Sequence, residues 1–419
     1  MSNRKILYFD YWTAGIHNFK LFDKELSDSG FETKLIHVGS WKNKNVPPYQ
    51  KIDEINCFDI GYFDSGLLFN VLKQEAPKVV IMLNASLITD RTVILSCKKL
   101  GIKSVYLMHG ALTREEFIED SIESSNQSFK TNRLSKSIRH LKGTIPNYFY
   151  SVFKYKSSFL LRWYPYGLLI KTFTNPARYI NFPPPSFDLS PDLSLVYGNI
   201  DKRFYEKLFI GTDSQIKVVG NPTLDRYFQE LKELANDRDL FLVQNSIPLD
   251  TPYITYIEEG LVEDKVWDNE YRIKFLMDIS RVCTEKDFHL VVKLHPRTTR
   301  GKHIDSLLEL KGITFIREVN FSKLIYFTSK CISHYSTTLI YPMLLDKPIL
   351  MPRWGNSRFV QKLYNEDEVT FVNTLEQLGD YLEKDKLEYD RSKYLHDYVP
   401  FTDGKTKERI LKCILDIAR

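Results

Sequence analysis

Short apolar runs rich in β-branched residues recur along this chain, each followed by a stretch of helical period, and that alternation restricts the fold more than any other feature. Lys78-Val79-Val80-Ile81-Met82-Leu83, Ser104-Val105-Tyr106-Leu107-Met108 and His289-Leu290-Val291-Val292-Lys293-Leu294 are continuous apolar strands of the kind buried on both faces. Helical segments such as 90–100 and 269–284 lie between them. Strand and helix in this rhythm predict parallel sheets covered by helices, an α/β architecture.

At 419 residues the chain exceeds one ordinary core and suits two domains. Lys5 to Tyr11 reads as the first strand, and a turn carrying Gly15 and His17 leads into a helix bearing Phe22 and Leu26. A strand at 31–38, a helix at 67–75 and strands at 78–83 and 104–108 continue the domain, the last ending in His109-Gly110. The rhythm breaks between about 124 and 187 and resumes with strands at 193–197 and 216–219. A charged helix from Leu224 to Arg238 is expected to cross into the second domain. This gives domains of 1–235 and 236–400, with a closing helix in 401–419 expected to return to the first. The second domain repeats the pattern, with strands at 253–257, 289–294, 313–317, 331–334, 348–351 and 369–372.

Net charge is only +5, but it is unevenly spread. From Ser124 to Phe187 there is no Asp or Glu, while Lys130, Arg133, Lys154, Lys156, Arg162 and Lys171 alternate with Phe149, Tyr150, Phe153, Trp163 and Tyr166. Cations mixed with aromatics suit an anionic bilayer surface, with Lys154, Lys156, Arg162 and Trp163 as the expected contacts. The apolar content exceeds what a phosphate-tracking surface needs, so nucleic acid is not an expected partner. The competing reading is a helical subdomain whose apolar face is buried. Five scattered cysteines, a start without a signal-peptide apolar region and no run of about 18 apolar residues lead to a cytoplasmic expectation, peripheral on the inner face of the plasma membrane.

No GxGxxG follows the first strand, and neither a GxxxxGK phosphate loop nor an HExxH occurs. Asp237-Arg238-Asp239 has the letters of a metal-binding pair but falls at the end of the charged helix, where it reads as a solvated face. Neither a metal nor a cofactor is expected.

The candidate chemistry collects where strands run out into polar turns, the edge at which α/β sheets bind ligands. Lys293, His295 and Arg297 follow one strand, with Pro296 fixing the turn, and Ser336, Thr337 and Thr338 follow another. Cations, an imidazole and hydroxyls suit a phosphate linkage and would stabilise charge developing on a departing nucleotide.

Met108-His109-Gly110, Gly220-Asn221-Pro222 with Asp225, Lys293-Leu294-His295-Pro296, and Ser336-Thr337-Thr338 with Asp346-Lys347-Pro348 stand in a telling order and spacing over Val105 to Pro348. Together they resemble the GT-B glycosyltransferase superfamily, and within it the bacterial surface-polysaccharide enzymes: sialyltransferases, Kdo transferases and CDP-glycerol glycerophosphotransferases. The resemblance implies two Rossmann-like domains facing across a cleft, an acceptor side in the first carrying Gly15 and His17, and a nucleotide donor in the second. Lys293, His295, Pro296, Arg297, Ser336, Thr337, Thr338 and Asn221 would bind that donor. In bacterial sialyltransferases an acidic pair before a glycine supplies the general base, and Glu258-Glu259-Gly260 is similar. His109 is the competing base, on the pattern of the glycerophosphotransferase branch, and the choice stays open here.

One departure bears on the donor. GT-B enzymes that use UDP- or GDP-sugars often carry a ribose-binding Glu shortly after the Ser/Thr pair, and this chain has Tyr341-Pro342 there. The expectation is therefore a metal-independent glycosyltransferase of capsule, lipopolysaccharide or O-antigen synthesis, passing an acidic sugar such as sialic acid or Kdo from a CMP donor to a glycan or lipid-linked glycan. The alternatives are a CDP-glycerol or ribitol-type glycerophosphotransferase and a non-catalytic GT-B-like scaffold of a polysaccharide assembly complex.

Overall fold

A computed structural model describes the chain apart from residues 1–3, 42–44, 111–132, 156–158, 176–177, 180–182, 187, 210–214, 233–236, 264–265, 299–303 and 355–363, and without the side chains of 133–142 and 159–162. It divides into two compact units, Met1–Pro222 with Tyr398–Arg419, and Thr223–Asp397.

In the first unit β1 (Lys5–Asp10), β2 (Glu32–His37), β3 (Tyr49–Ile52), β4 (Ile55–Asp59), β5 (Val79–Met82), β6 (Lys103–Leu107), β7 (Leu193–Val196) and β8 (Gln215–Val218) form one sheet in the order β3-β4-β2-β1-β5-β6-β7-β8. Every pairing is parallel except β3 with β4. Period-two alternation divides the core. Leu7, Phe9, Val80 and Met82 face one layer with Val71 and Val93, and Ile6, Tyr8, Val79 and Ile81 face the other with Phe19, Phe22 and Leu26. The sequence reading has no counterpart of the β3-β4 hairpin. Its edge strand is largely exposed, and its turn uses Asp53 and Glu54 at positive φ (47° and 73°) where glycine would have given the signal.

The closing helix Thr406–Ala418 packs in this unit. Ile410, Ile414 and Ala418, spaced by four, enter the Tyr8 and Phe19 layer, and Arg409 Nε donates to Val219 O at 2.7 Å. This return explains the glycine of Gly220-Asn221-Pro222: φ is +97°, and a Cβ there would lie 2.6 Å from Thr406 Oγ1.

The basic aromatic segment is helical where described, in Arg133–Tyr155 and Phe159–Thr174. Its inner face is core: Tyr148, Val152, Leu168 and Leu169 pack on Ile88 and Leu95 of the helix Ile88–Leu100. Asn147 Oδ1 accepts from Leu68 N at 2.7 Å, and Tyr148 OH donates to buried Asp188 at 2.5 Å.

In the second unit β9 (Tyr253–Ile257), β10 (His289–Lys293), β11 (Ile313–Ile316), β12 (Lys330–Ile332), β13 (Ile349–Pro352) and β14 (Thr370–Val372) form an all-parallel sheet in the order β11-β10-β9-β12-β13-β14. The chain winds outward from β9 through β10 and β11, then crosses back to β12 on the other side. The strand order therefore reverses beside β9, the place where an open α/β sheet opens a crevice. Where one charged helix over 224–238 was expected there are two, Pro222–Lys232 and Arg238–Gln244. The first belongs to the second unit, so the division falls at 222/223, earlier than the expected 235/236. Tyr227 fixes it there, its hydroxyl donating to Tyr341 O at 3.0 Å and its ring meeting Tyr341 edge-on at 4.7 Å.

Candidate functional site

At the reversal point of the second sheet, three turns emerge from adjacent strands: Glu258-Glu259-Gly260 after β9, Leu294 to Arg297 after β10, and Ser333 to Thr337 after β12. The two glutamates on the middle turn tie it to both neighbours. Glu258 Oε2 accepts from His295 N at 3.0 Å, and its Oε1 lies 3.4 Å from Arg272 NH1. Arg272 comes from the helix Asn269–Glu285 and reaches Glu263 at 3.6 Å, while Thr298 Oγ1 donates to Glu263 Oε2 at 3.1 Å. Burial pushes the Glu258 carboxyl up, opposed by the His295 amide and by Arg272. Removing either member of the buried Glu258–Arg272 pair would cost about 3–5 kcal/mol through the charge left behind.

Glu259 is held differently. Its Oε1 accepts from Ser333 Oγ, from His334 N at 2.7 Å and from Tyr335 N at 3.3 Å, so one oxygen gathers the β12 turn. Its Oε2 is buried 3.6 Å from His334 Nδ1, with no hydrogen-bond partner among the described residues. His334 is itself buried, edge-on to Trp267 at 5.0 Å and 5.2 Å from Phe275.

On the β10 turn, Arg297 N donates to His295 Nδ1 at 3.2 Å, which leaves Nε2 as the proton-bearing nitrogen of a neutral ring. Gly260 lets this turn come close: φ is +68°, and a Cβ would stand 3.0 Å from His295 Nδ1 and 3.4 Å from Arg297 NH2. Pro296 and Arg297 are exposed, whereas Lys293 is half-buried and commits its ammonium to Leu294 O (2.8 Å) and Arg317 O (3.0 Å). Burial lowers its pKa, and it pins the ends of β10 and β11. On the β12 turn Ser336 is the N-cap, accepting from Thr338 N at 3.3 Å and sharing a 2.7 Å bond with Thr338 Oγ1, while Thr337 is exposed. Tyr341, where a ribose-binding Glu would stand, is taken up in packing with Tyr227 and Phe321.

The other expected site residues lie in the first unit, again at strand ends. His109 is exposed after β6, and its Nδ1 is 2.8 Å from Leu83 O. Donation to that carbonyl places the proton on Nδ1 and turns the Nε2 lone pair outward, the tautomer a general base needs. Asp10, at the end of β1, is buried, and desolvation raises its pKa while His109 and the Tyr11 amide lower it. Gly15 is required beside it, since a Cβ would overlap Asp10 Oδ2. His17 has both ring nitrogens engaged, Nδ1 with Ala14 O at 2.7 Å and Nε2 with Asn18 Nδ2 at 3.2 Å. Asn221 sits at the end of the first segment of this unit, after Gly220.

The structure thus brings Glu258, Glu259, Lys293, His295 and Arg297 together with the Ser336–Thr338 turn, and groups His109 with Gly15 through Asp10. Sequence reasoning missed Arg272, Glu263, Thr298, Ser333 and Asp10. Asp10 ends its strand as His109 does, a signal that was available, whereas Arg272 lies inside a helix with no motif around it. Among the described residues no group of three or more His, Cys, Asp or Glu is placed to hold a metal ion.

Of the expected membrane contacts, Lys156 lies outside the described residues, as does the side chain of Arg162. Trp163 is 63% exposed, and Tyr166, Ile170 and Phe173 continue an exposed stripe along the same helix face. Lys154 Nζ lies over the Tyr150 ring at 5.2 Å, and Lys171 Nζ over Tyr179 at 5.9 Å. No described helix is long and apolar enough to cross a membrane.

Residues 187–347 match the model of the alpha-2,8-polysialyltransferase family. That span contains all three turns of the second unit. No curated protein sequence is similar to the chain at a significant level. Among solved structures it is similar to UDP-GlcNAc 2-epimerase from Methanocaldococcus jannaschii, at 17% identity, covering 98% of this chain and 99% of that one with a TM-score of 0.52. It is also similar to the glycotransferase of kitacinnamycin, at 12% identity over 100% of both chains with a TM-score of 0.51. At such identities the likeness is one of fold, and the fold is GT-B.

Proposed function

We propose that this chain, a glycosyltransferase of GT-B fold, transfers an acidic sugar such as sialic acid or Kdo from its CMP-activated form to a hydroxyl of a bacterial surface glycan. The observation that carries the reading is the coincidence of the polysialyltransferase match at 187–347 with the three turns gathered at the strand reversal of the second sheet. Tyr341 in place of a ribose-binding Glu supports a cytidine nucleotide over a UDP-sugar.

The roles we assign are these. His295 Nε2–H and the Arg297 guanidinium meet the donor phosphate, with Thr337 and the Ser336 turn offering hydroxyls. As the bond from the anomeric carbon to the phosphate oxygen breaks, negative charge gathers on CMP, and cationic and N–H donors fixed beforehand stabilise it without reorganising. Lys293 ties the ends of β10 and β11 together through Leu294 O and Arg317 O. His109 Nε2 takes the acceptor hydroxyl's proton while that oxygen bonds to the anomeric carbon. The reaction so read uses no metal, and chelation leaves it unchanged.

The exposed stripe of Trp163, Tyr166, Ile170 and Phe173, with Lys154 and Lys171 on the same pair of helices, supports contact with an anionic lipid surface on which a lipid-linked acceptor is presented. The inner face of those helices is core, so the membrane proposal concerns their outer face alone.

Incubation with CMP-sialic acid, CMP-Kdo, CDP-glycerol and UDP-GlcNAc, each with a glycan acceptor, tests the proposal. Release of CMP with glycan extension, lost in His295→Ala, is the expected result. Turnover of UDP-GlcNAc or CDP-glycerol instead would overturn it.

A further inference from the structure

The acidic pair is the part of the site whose geometry departs most from its expected chemistry. A general base must come within about 2.6–3.2 Å of the proton it removes. Glu259 is 6% exposed, its Oε1 is occupied by the Ser333 hydroxyl and the His334 and Tyr335 amides, and its Oε2 is buried against His334. Nothing in that arrangement presents an oxygen to a substrate. It resembles the carboxylate of a helix cap, consuming backbone N–H groups that would otherwise face the crevice.

We propose that Glu259 is a positioning residue: it spans the strand reversal from β9 to β12 and sets where the Ser336–Thr337 turn stands relative to His295. Glu258 makes the matching link to the β10 turn through His295 N. The pair is thus a bracket between two ligand-bearing turns, each carboxylate serving the neighbour on its own side, as the strand order β10-β9-β12 requires. Because the His334 and Tyr335 amides are spent on Glu259, the ligand contacts of this turn begin at Ser336. The inference rests on reading these turns as the donor site, but its structural half stands apart from that reading.

Glu259→Gln and Glu259→Ala separate the roles. Glutamine keeps a carbonyl oxygen where Oε1 gathers its donors but cannot accept a proton as a base. Hydrogen exchange of peptides spanning 330–340 is measured with donor KM, kcat and the pH profile. Loss of the bracket in Glu259→Ala should speed exchange of the 334 and 335 amides by about tenfold or more and raise donor KM more than it lowers kcat, as misplacement of binding groups does. Glu259→Gln should recover most of the protection and of the donor KM, with the pH profile unmoved. A kcat loss of about 100-fold or more in Glu259→Gln, with protection and KM intact, would identify a base and overturn the proposal. So would wild-type protection in Glu259→Ala; should that variant fail to fold, Glu259→Gln decides alone. If the wild-type protein turned over no CMP-sugar, the donor reading would fall while the exchange measurement still decided this one.

Discussion

Gly260 offers a sharp test of how the proposed donor turn is built, because a second glycine in the same unit supplies the control. Gly260 has φ +68° and Gly312 has φ +77°, so alanine at either pays for a left-handed backbone, about 1–2 kcal/mol. For a unit of this size each kcal/mol lowers Tm by roughly 2–4 °C, and both variants should fall by similar amounts. They differ in what the new Cβ meets. At Gly312 nothing lies within 4 Å, whereas at Gly260 the methyl would stand 3.0 Å from His295 Nδ1, 3.3 Å from Glu263 Oε2 and 3.4 Å from Arg297 NH2. The imidazole must yield by a few tenths of an ångström, loosening the 3.2 Å bond from Arg297 N that sets its tautomer. A misplacement of about 1 Å costs on the order of 100-fold in rate, so a shift of this size should lower donor kcat/KM by about tenfold in Gly260→Ala and leave Gly312→Ala near wild type. Steady-state kinetics with melting curves on both proteins decide it. Equal activity at equal loss of Tm would refute the role given to the His295 turn.

Removing the proposed acceptor-side base in His109→Gln should lower kcat by about 100- to 10,000-fold while nucleotide binding, measured calorimetrically, is unchanged. Asp90 is fully buried, its pKa is pushed up to about 7 from 3.8 by desolvation, and it accepts from Leu87 N at 2.9 Å. A carboxyl raised in the folded state favours folding at low pH and loses that advantage as pH rises toward the folded value. Between pH 5 and 8 wild type should therefore lose about 3 kcal/mol relative to Asp90→Asn, read from denaturant midpoints at each pH. Trp163→Ala with Ile170→Ala should reduce sedimentation with phosphatidylserine vesicles several-fold at unchanged turnover of a soluble acceptor, and high salt should weaken the residual binding.

Much of the fold was legible because its strands are apolar on both faces. Tyr253 to Ile257 is buried at every position, and its bounds coincide with the expected ones. The hairpin at 49–59 was not legible, since its edge strand has no buried residue and its turn carries Asp-Glu. The split of the charged helix was hidden for another reason: Tyr227, which anchors its first part, looks like any other helical aromatic until Tyr341 is placed beneath it. In the site, the strand-end turns could be read from composition, but the work of their residues could not. Sequence alone does not place two backbone carbonyls at the Lys293 ammonium, and the partners of Glu259 lie more than seventy residues away. Spacing within a motif says which groups share a turn. It does not say which of them a third strand will claim.

We propose binding of a cytidine nucleotide on the His295 and Ser336 turns of the second unit. The most direct measurement is the thermal stabilisation of wild type and His295→Ala by CMP, CDP, UDP and GDP. Ligand at 100 times its Kd stabilises by about 2.7 kcal/mol through mass action, well within reach of a melting curve. Selective stabilisation of wild type by CMP, lost in His295→Ala, is the expected result. Stabilisation by UDP in preference to CMP, or by CMP equally in both proteins, would contradict it.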